Sequence, residues 1–206
     1  ATIYINNDWG VDANKYFTEE ARKLGAEIVA EEAFTPGEKD FTAILSKLKR
    51  LKPELIYLPT FYADATAILN QAKRARFNPV VLANSSLFSQ KTIELGGEAV
   101  EGILIPANYF SADPRPAAQE FTREYQALYG TLPNQFAALA YDAANLMVAA
   151  LQKAGVEDRA KVKDALVSLQ GFQGATGSIS YVSSHDPEKE LVRITIKDGK
   201  WVVYQP

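Results

Sequence analysis

Along the first hundred residues the apolar positions switch between a period of two and a period near 3.6, and each switch marks a change of element. Residues 2–5 (TIYI) form a short β-rich run, followed by NNDWG as a polar loop. From Asp12 onward Ala13, Tyr16, Phe17, Ala21 and Leu24 recur at helical spacing, and Gly25 supplies a left-handed stop. Residues 26–34 predict a second strand and TPGEKD its exit loop. Phe41, Ile44, Leu45, Leu48 and Leu51 then share one helical face that closes at Pro53. A third strand over residues 55–58 leads through PTFYAD into a helix with Ala65, Ile68, Leu69, Ala72 and Ala75 inward. Residues 80–82 predict a fourth strand with ANSS as its exit, Gly96 and Gly97 end the next helical piece, and residues 102–106 predict a fifth strand. Strands alternating with helices through short joints specify right-handed βαβ units, hence an α/β fold with a doubly wound parallel sheet.

After Asp113 the rhythm changes. Phe121, Tyr125 and Leu128 line one helix; Gly130 and Pro133 separate it from a second. That second helix carries the charge-poor stripe Phe136, Leu139, Ala140, Ala143, Leu146, Met147, Ala150 and Leu151. Val162, Ala165, Leu166 and Leu169 mark a third. Three successive helices cannot cover both faces of the first sheet, so they need another surface. The tail returns to strand periodicity over residues 178–182 and 191–196, and DGK makes a tight turn into residues 201–204. The expected division is a parallel-sheet body over residues 1–110, a helical block over 111–177 and returning strands over 178–206.

Charge and composition remove several classes of function. With 22 basic and 25 acidic side chains intermixed and a net charge of -3, no field gathers a polyanion, and nucleic acid is not an expected partner. The densest basic stretch, residues 47–52, falls on the polar side of a helix. Cysteine is absent and His185 is the one histidine, placed in the polar turn SSHDPEK, so no thiolate or histidine metal site, no cysteine nucleophile and no cofactor is expected. No GxSxG elbow, GxGxxG or P-loop occurs, and the carboxylates name no acid–base pair, which argues against an enzyme. No run reaches the roughly 18 apolar residues of a membrane span. The chain opens directly on a strand, as a processed protein or a fragment would.

In an open parallel sheet a ligand meets the loops at the carboxyl ends of the strands, near the point where strand order reverses. This selects residues 6–10, 34–40, 60–64, 83–87 and 107–110. Trp9 in the first loop and Phe61 and Tyr62 in the third place aromatics beside short polar groups, the mixture a small-molecule pocket needs. Trp9 could equally cover the end of its own helix. Phe61 and Tyr62, being adjacent, would point opposite ways on an extended segment, with Tyr62 favoured for polar contact. Asn84, Ser85 and Ser86 read both as a helix cap and as ligand contacts. Asp8 and Asp64 suit a cationic group or simple solvation.

The order of elements and several phrases resemble the solute-binding proteins of branched-chain amino acid type ABC transporters, with the type I periplasmic binding fold. NNDWGVDANKYF with its following GEKDF segment resembles the start of the second lobe, ELIYLPTFYADATAILNQAKR the next strand, aromatic loop and helix, and NQFAALAYDAANLMVAALQKAG the long helix of the first lobe. The resemblance implies a ligand-binding lobe over residues 1–110, a helical block from the other lobe, and crossover strands back. It places Trp9 and Phe61–Tyr62 over the ligand, Asn84 and Ser85 where amino acid binders carry an acid for the ligand ammonium, and Phe136 where it reaches the cleft from the other lobe. It implies a small polar or amphipathic ligand, such as an amino acid, carboxylate, amide or aromatic acid, captured by hinge closure and delivered to a membrane permease. A ligand-sensing module of a receptor or regulator with the same fold is one alternative, and a small α/β enzyme, for which NNDWG lacks the paired glycines of a phosphate cradle, is another. The implied location is periplasmic or extracellular, with a lipid anchor in the parent protein. Related proteins are longer at the amino end, so the resemblance implies a missing N-terminal segment, a partner chain or self-association over the helical block.

Overall fold

A computed structural model describes residues 1–155, 158–181 and 186–205, so His185 and the end of the expected strand over 178–182 lie outside the described residues. The elements run β1 (Thr2–Ile5), α1 (Asp8–Lys23), β2 (Glu31–Phe34), α2 (Thr42–Leu51), β3 (Leu55–Leu58), α3 (Tyr62–Arg74), β4 (Val80–Ala83), a 3-10 turn (Ser85–Leu87), α4 (Gln90–Gly96) and β5 (Leu104–Ala107). They continue through α5 (Pro116–Tyr129), α6 (Gln135–Ala154), α7 (Arg159–Val167), β6 (Phe172–Gly174), β7 (Gly177–Ser180), β8 (Glu188–Lys189), β9 (Val192–Lys197) and β10 (Lys200–Val203). Two compact units result, one of residues 1–106 and 193–206, the other of residues 107–192.

The first unit is built on a seven-stranded sheet of order β10-β9-β5-β4-β3-β1-β2. β1 pairs in parallel with β2 on one side and β3 on the other, so the chain reverses its direction of travel across the sheet between β1 and β3. Alternate residues of each strand face inward and build the core: Ile3 and Ile5, Ile56 and Leu58, Ile103 and Ile105, Ile194 and Ile196 are all buried. Phe41, Leu45 and Leu48 of α2 and Ala65, Ile68, Leu69 and Ala72 of α3 cover them. β9 and β10 close the far edge as a hairpin whose two turn residues, Asp198 and Gly199, both have positive φ (52° and 68°), as a type I′ turn requires.

Three local outcomes differ from the periodicity. β2 starts at Glu31 instead of residue 26, because β1 offers only four residues to pair and these are matched one to one by Glu31–Phe34. α1 begins at Asp8, inside the expected loop: the Asn7 side chain accepts from the Gly10 amide (2.8 Å) and Asp8 sits in the first turn, together a complete N-terminal cap. The helix also turns a different face inward. Gly10, Asn14 and Thr18 are buried, whereas Tyr16 and Leu24 are 63% and 86% exposed. Polar bonds set that rotation, since Asn14 Nδ2 donates to Glu31 Oε2 (2.9 Å) and Arg22 Nη2 to Glu31 Oε1 (2.6 Å). Burial pushes the Glu31 carboxyl up, and the bonds from Asn14 and Arg22 outweigh it and hold the group below the usual range.

The second unit carries α5, α6 and α7 and the antiparallel sheet β6-β7-β8. Its organising group is Asp142, buried at the middle of α6. Oδ1 accepts from the Ala175 amide (2.7 Å), and Oδ2 accepts from the Thr176 amide (2.8 Å) and hydroxyl. Lys189 in turn donates to the Thr176 hydroxyl, and burial pulls its pKa below the ordinary lysine value. A Cβ on Gly174 would fall 2.5 Å from the anchored Asp142 carboxylate, and Gly177 has a φ of 102°, so the turn that wraps these charges favours glycine at both positions. Arg115 forks onto the Asp113 carboxylate.

Asp142 also decides which side of α6 is buried. Ala138, Asp142, Leu146 and Ala150, one residue per turn, are inside. The apolar stripe seen in the sequence is thereby split: Leu146 and Ala150 are covered, while Phe136, Ala140, Ala143, Met147 and Leu151 remain exposed.

Replacing Asp142 by Leu strands two buried backbone N–H groups and is expected to destabilise the chain by about 3 kcal/mol, with Asn, which keeps one acceptor, intermediate; urea denaturation measures both. In the first unit, a Cβ on Gly10 would lie 2.1 Å from the Ile5 carbonyl oxygen. Gly10→Val should therefore cost roughly 1–3 kcal/mol through overpacking, and a change under about 0.5 kcal/mol in the same assay would show that α1 is free to shift.

Candidate functional site

The carboxyl ends of β1, β3 and β4 are neighbours in the sheet, and each is followed at once by a helical start. Trp9 rides on the first turn of α1, two residues after its cap. Phe61 is the N-cap residue of α3 in extended conformation (φ -93°, ψ 161°), and Tyr62 is the first helical residue. The two elements leave β1 and β3, the strands that flank the reversal of strand order, so Trp9 and Phe61 stand on either side of the switch point. There they stack, with centroids 5.2 Å apart and planes 27° from parallel. Both rings stay largely accessible, 41% for Trp9 and 46% for Phe61, and Tyr62 is 37% exposed.

The polar side of the site converges on Thr60. Its backbone carbonyl accepts from the Ser86 hydroxyl (2.7 Å) and from Asn84 Nδ2 (3.4 Å), and its hydroxyl lies 3.5 Å from Asp64 Oδ2. Asn84 Oδ1 meanwhile caps the 3-10 turn by accepting from the Ser86 amide (2.9 Å) and hydroxyl. Thus the cap expected of Asn84 and its neighbours forms, and it also ties β4's exit to β3's. Ser85 occupies the first position of that turn and is half-buried.

The acids here meet either a helix start or backbone amides. Asp8 and Asp64 each sit in the first turn of a helix, facing its positive end. In the loop over residues 35–40, Glu38 accepts from the Asp40 (3.0 Å) and Lys39 (2.7 Å) amides and Asp40 from the Thr42 hydroxyl and amide (2.9 Å for the amide), and these bonds hold both carboxyls below their usual range. Among the described residues no group of three or more acidic or histidine side chains could hold a metal ion. Chemically the site offers exposed aromatic area and hydrogen-bonding dipoles, which suits holding a small molecule.

The structure therefore brings Trp9, Phe61, Tyr62, Asn84 and Ser85 to one edge of the first unit. Phe136 belongs to the second unit, at the start of α6, 63% exposed. Thr60 and Ser86 complete the polar cluster. Thr60 gave no signal beyond its place before the aromatics, because its contribution is mainly a backbone carbonyl. The stack between Trp9 and Phe61 was also hidden, since it links residues 52 positions apart.

The model of the periplasmic binding protein family matches residues 1–200. The Leu/Ile/Val-binding protein homolog 1 of Brucella suis is 26% identical over 190 residues, which cover 91% of this chain and 50% of that protein. Among solved structures, the leucine-binding protein LivK of Thermotoga maritima superposes with a TM-score of 0.90 at 30% identity over 99% of this chain and 59% of that one. LivJ of Streptococcus pneumoniae, solved with isoleucine, gives 0.81 at 28% identity over 100% and 60%. This chain spans about half the length of the curated relatives it matches. A doubly wound sheet with an aromatic-lined switch point, matched by the family model along nearly its whole length, places the chain in the periplasmic binding protein family, among proteins of the branched-chain amino acid type.

Proposed function

We propose that the chain is the solute-capturing part of an extracytoplasmic binding protein that serves an ABC transporter. The observation that carries this is the half-exposed Trp9–Phe61 stack at the switch point of the first unit. Rings left open to water at the place where open α/β sheets bind ligands gain most when a small solute covers them. The solute is a small amino-acid-like, carboxylate or amide molecule, held by hinge closure and handed on to a membrane permease. No bond is made or broken, so the reading is of a binding protein and not of an enzyme. Residues 1–110 act as the ligand-binding lobe, 111–177 as a helical block of the other lobe and 178–206 as returning strands. Phe136 is assigned to the ligand on the family resemblance alone. The family also supports a periplasmic or extracellular location; a lipid anchor in the parent is part of the proposal.

Native mass spectrometry of the chain with a pooled panel of amino acids, amides and aromatic acids should show a discrete added mass. Trp9→Ala should remove it or weaken binding at least tenfold. Retention of full affinity in that variant would move the site elsewhere.

The exposed stripe on α6 implies a covering surface, either a further segment of the parent or a second copy. Phe136, Met147 and Leu151 on α6 are 63%, 45% and 38% exposed, an apolar stripe of the kind that packing usually covers. On its own the chain is expected to self-associate with rising concentration, and Met147→Glu with Leu151→Glu should shift it toward monomer in sedimentation velocity. A wild-type chain that stays monomeric at high concentration would remove this expectation.

A further inference from the structure

The short segment between β4 and α4 carries Asn84 and Ser85 to the candidate site, and residues distant in sequence fasten it on both sides. On the first side Asn84 Nδ2 and the Ser86 hydroxyl donate to the Thr60 carbonyl. On the second side the Trp201 indole N–H donates to the Ser89 carbonyl (3.2 Å) across 112 positions of sequence. The Phe88 ring meets the same indole edge to face, with centroids 5.4 Å apart and planes at 87°. Between these anchors lies the single 3-10 turn Ser85–Leu87, closed by the Leu87 amide on the Asn84 carbonyl and the Phe88 amide on the Ser85 carbonyl. Leu87 is buried, and its carbonyl accepts from the Thr92 hydroxyl (2.6 Å). A turn this short and this closely bonded has little slack, so a shift at Ser89 is passed on to Ser85.

Trp201 reaches the turn from a firm base. It is paired with Ile196 in the β9–β10 hairpin. The hairpin's turn is gripped in its own right, because the Glu101 carboxylate accepts from the Asp198 (3.0 Å) and Gly199 (2.7 Å) amides. Resting on the solute-binding reading above, we propose that Trp201 is a positioning residue for solute capture: from the returning hairpin it sets the β4 exit turn, and with it the placement of Asn84 and Ser85, without touching the solute. A binding site is only as precise as the shell that holds it. One such hydrogen bond is worth roughly two- to tenfold in an equilibrium. Linkage makes the effect reciprocal, so a solute that prefers the fastened turn strengthens the indole bond by the same factor that the bond adds to its affinity.

Two substitutions on one strand isolate this role. Trp201→Phe keeps a ring against Phe88 and removes the N–H donor, whereas Val202→Ala alters the opposite face of β10 and controls for a weakened hairpin. In the solute-free chain, hydrogen exchange of the Ser86 and Phe88 amides should quicken at least about twofold in Trp201→Phe and stay unchanged in Val202→Ala. The Tyr57 amide, bonded to the Ala1 carbonyl in the sheet, is the reference in both. Leucine, phenylalanine, glutamine and benzoate are then titrated calorimetrically where urea melts show each variant folded. Any of them that binds the unaltered chain should bind Trp201→Phe roughly two- to tenfold more weakly and Val202→Ala equally well. The same solute should slow exchange of the Trp201 indole N–H in the unaltered chain by a comparable factor, a measurement that stands without any variant. Unchanged turn amides, unchanged affinity, an equal loss in Val202→Ala, or an indole exchange rate that bound solute leaves as it was would each overturn the inference and leave the solute-binding reading intact. If none of the four binds the unaltered chain, that reading fails and this inference with it.

Discussion

The close approach of α1 to the end of β1 is the contact on which the ligand-facing edge depends. Ile5 ends the strand with its carbonyl receiving the Asn7 amide, and the helix begins so near that carbonyl that residue 10 has no space for a side chain. Glycine at that position lets the Asn7 cap close over the first turn. Trp9, two residues after that cap, then stacks on Phe61 across the switch point. Two rings from different βαβ units thus meet beside a position with no room for a side chain. The order of the strands matters equally, because it makes β1 and β3 neighbours although β2 and two helices separate them in sequence.

The second unit rests on a different device, a buried carboxylate in place of a close backbone contact. Burying Asp142 in an apolar helix would be costly without partners. The Ala175 and Thr176 amides and the Thr176 hydroxyl supply them, and Lys189 and Arg115 bring positive charge to the same turn. The same bonds rotate α6 about its axis. A helix without this anchor would bury the middle of its apolar stripe, whereas this one buries the edge and leaves the rest outward.

Elements with strong periodicity and clear punctuation were legible in the sequence: the five parallel strands, the glycine stops at Gly25 and Gly97, the Asp198–Gly199 hairpin and the three consecutive helices all stand close to where the pattern puts them. What escaped was rotation and partnership. Tyr16 and Leu24 count as inward by spacing, yet bonds between Asn14, Arg22 and Glu31 turn α1 so that a polar face is buried. Asp142 is an ordinary acid within an apolar run until the turn 33 residues later folds onto it. The aromatic site residues were legible as loop chemistry at strand ends. Their stacking was not, because it depends on the pairing of β1 with β3.

Two kinds of exposed apolar surface are present, and their local chemistry separates them. On α6 the exposed residues follow helical spacing over four turns, from the Asn134 cap to the last turn, which is the form of a face meant for permanent packing. At the switch point Trp9 stands on a helix start capped by Asn7, and Phe61 is the extended residue that opens α3, next to a buried Thr60 whose carbonyl ties in Ser86 and Asn84. The two surfaces therefore differ in form: one is a long stripe along a single helix, the other a compact pair of rings from two helix starts beside a polar cluster.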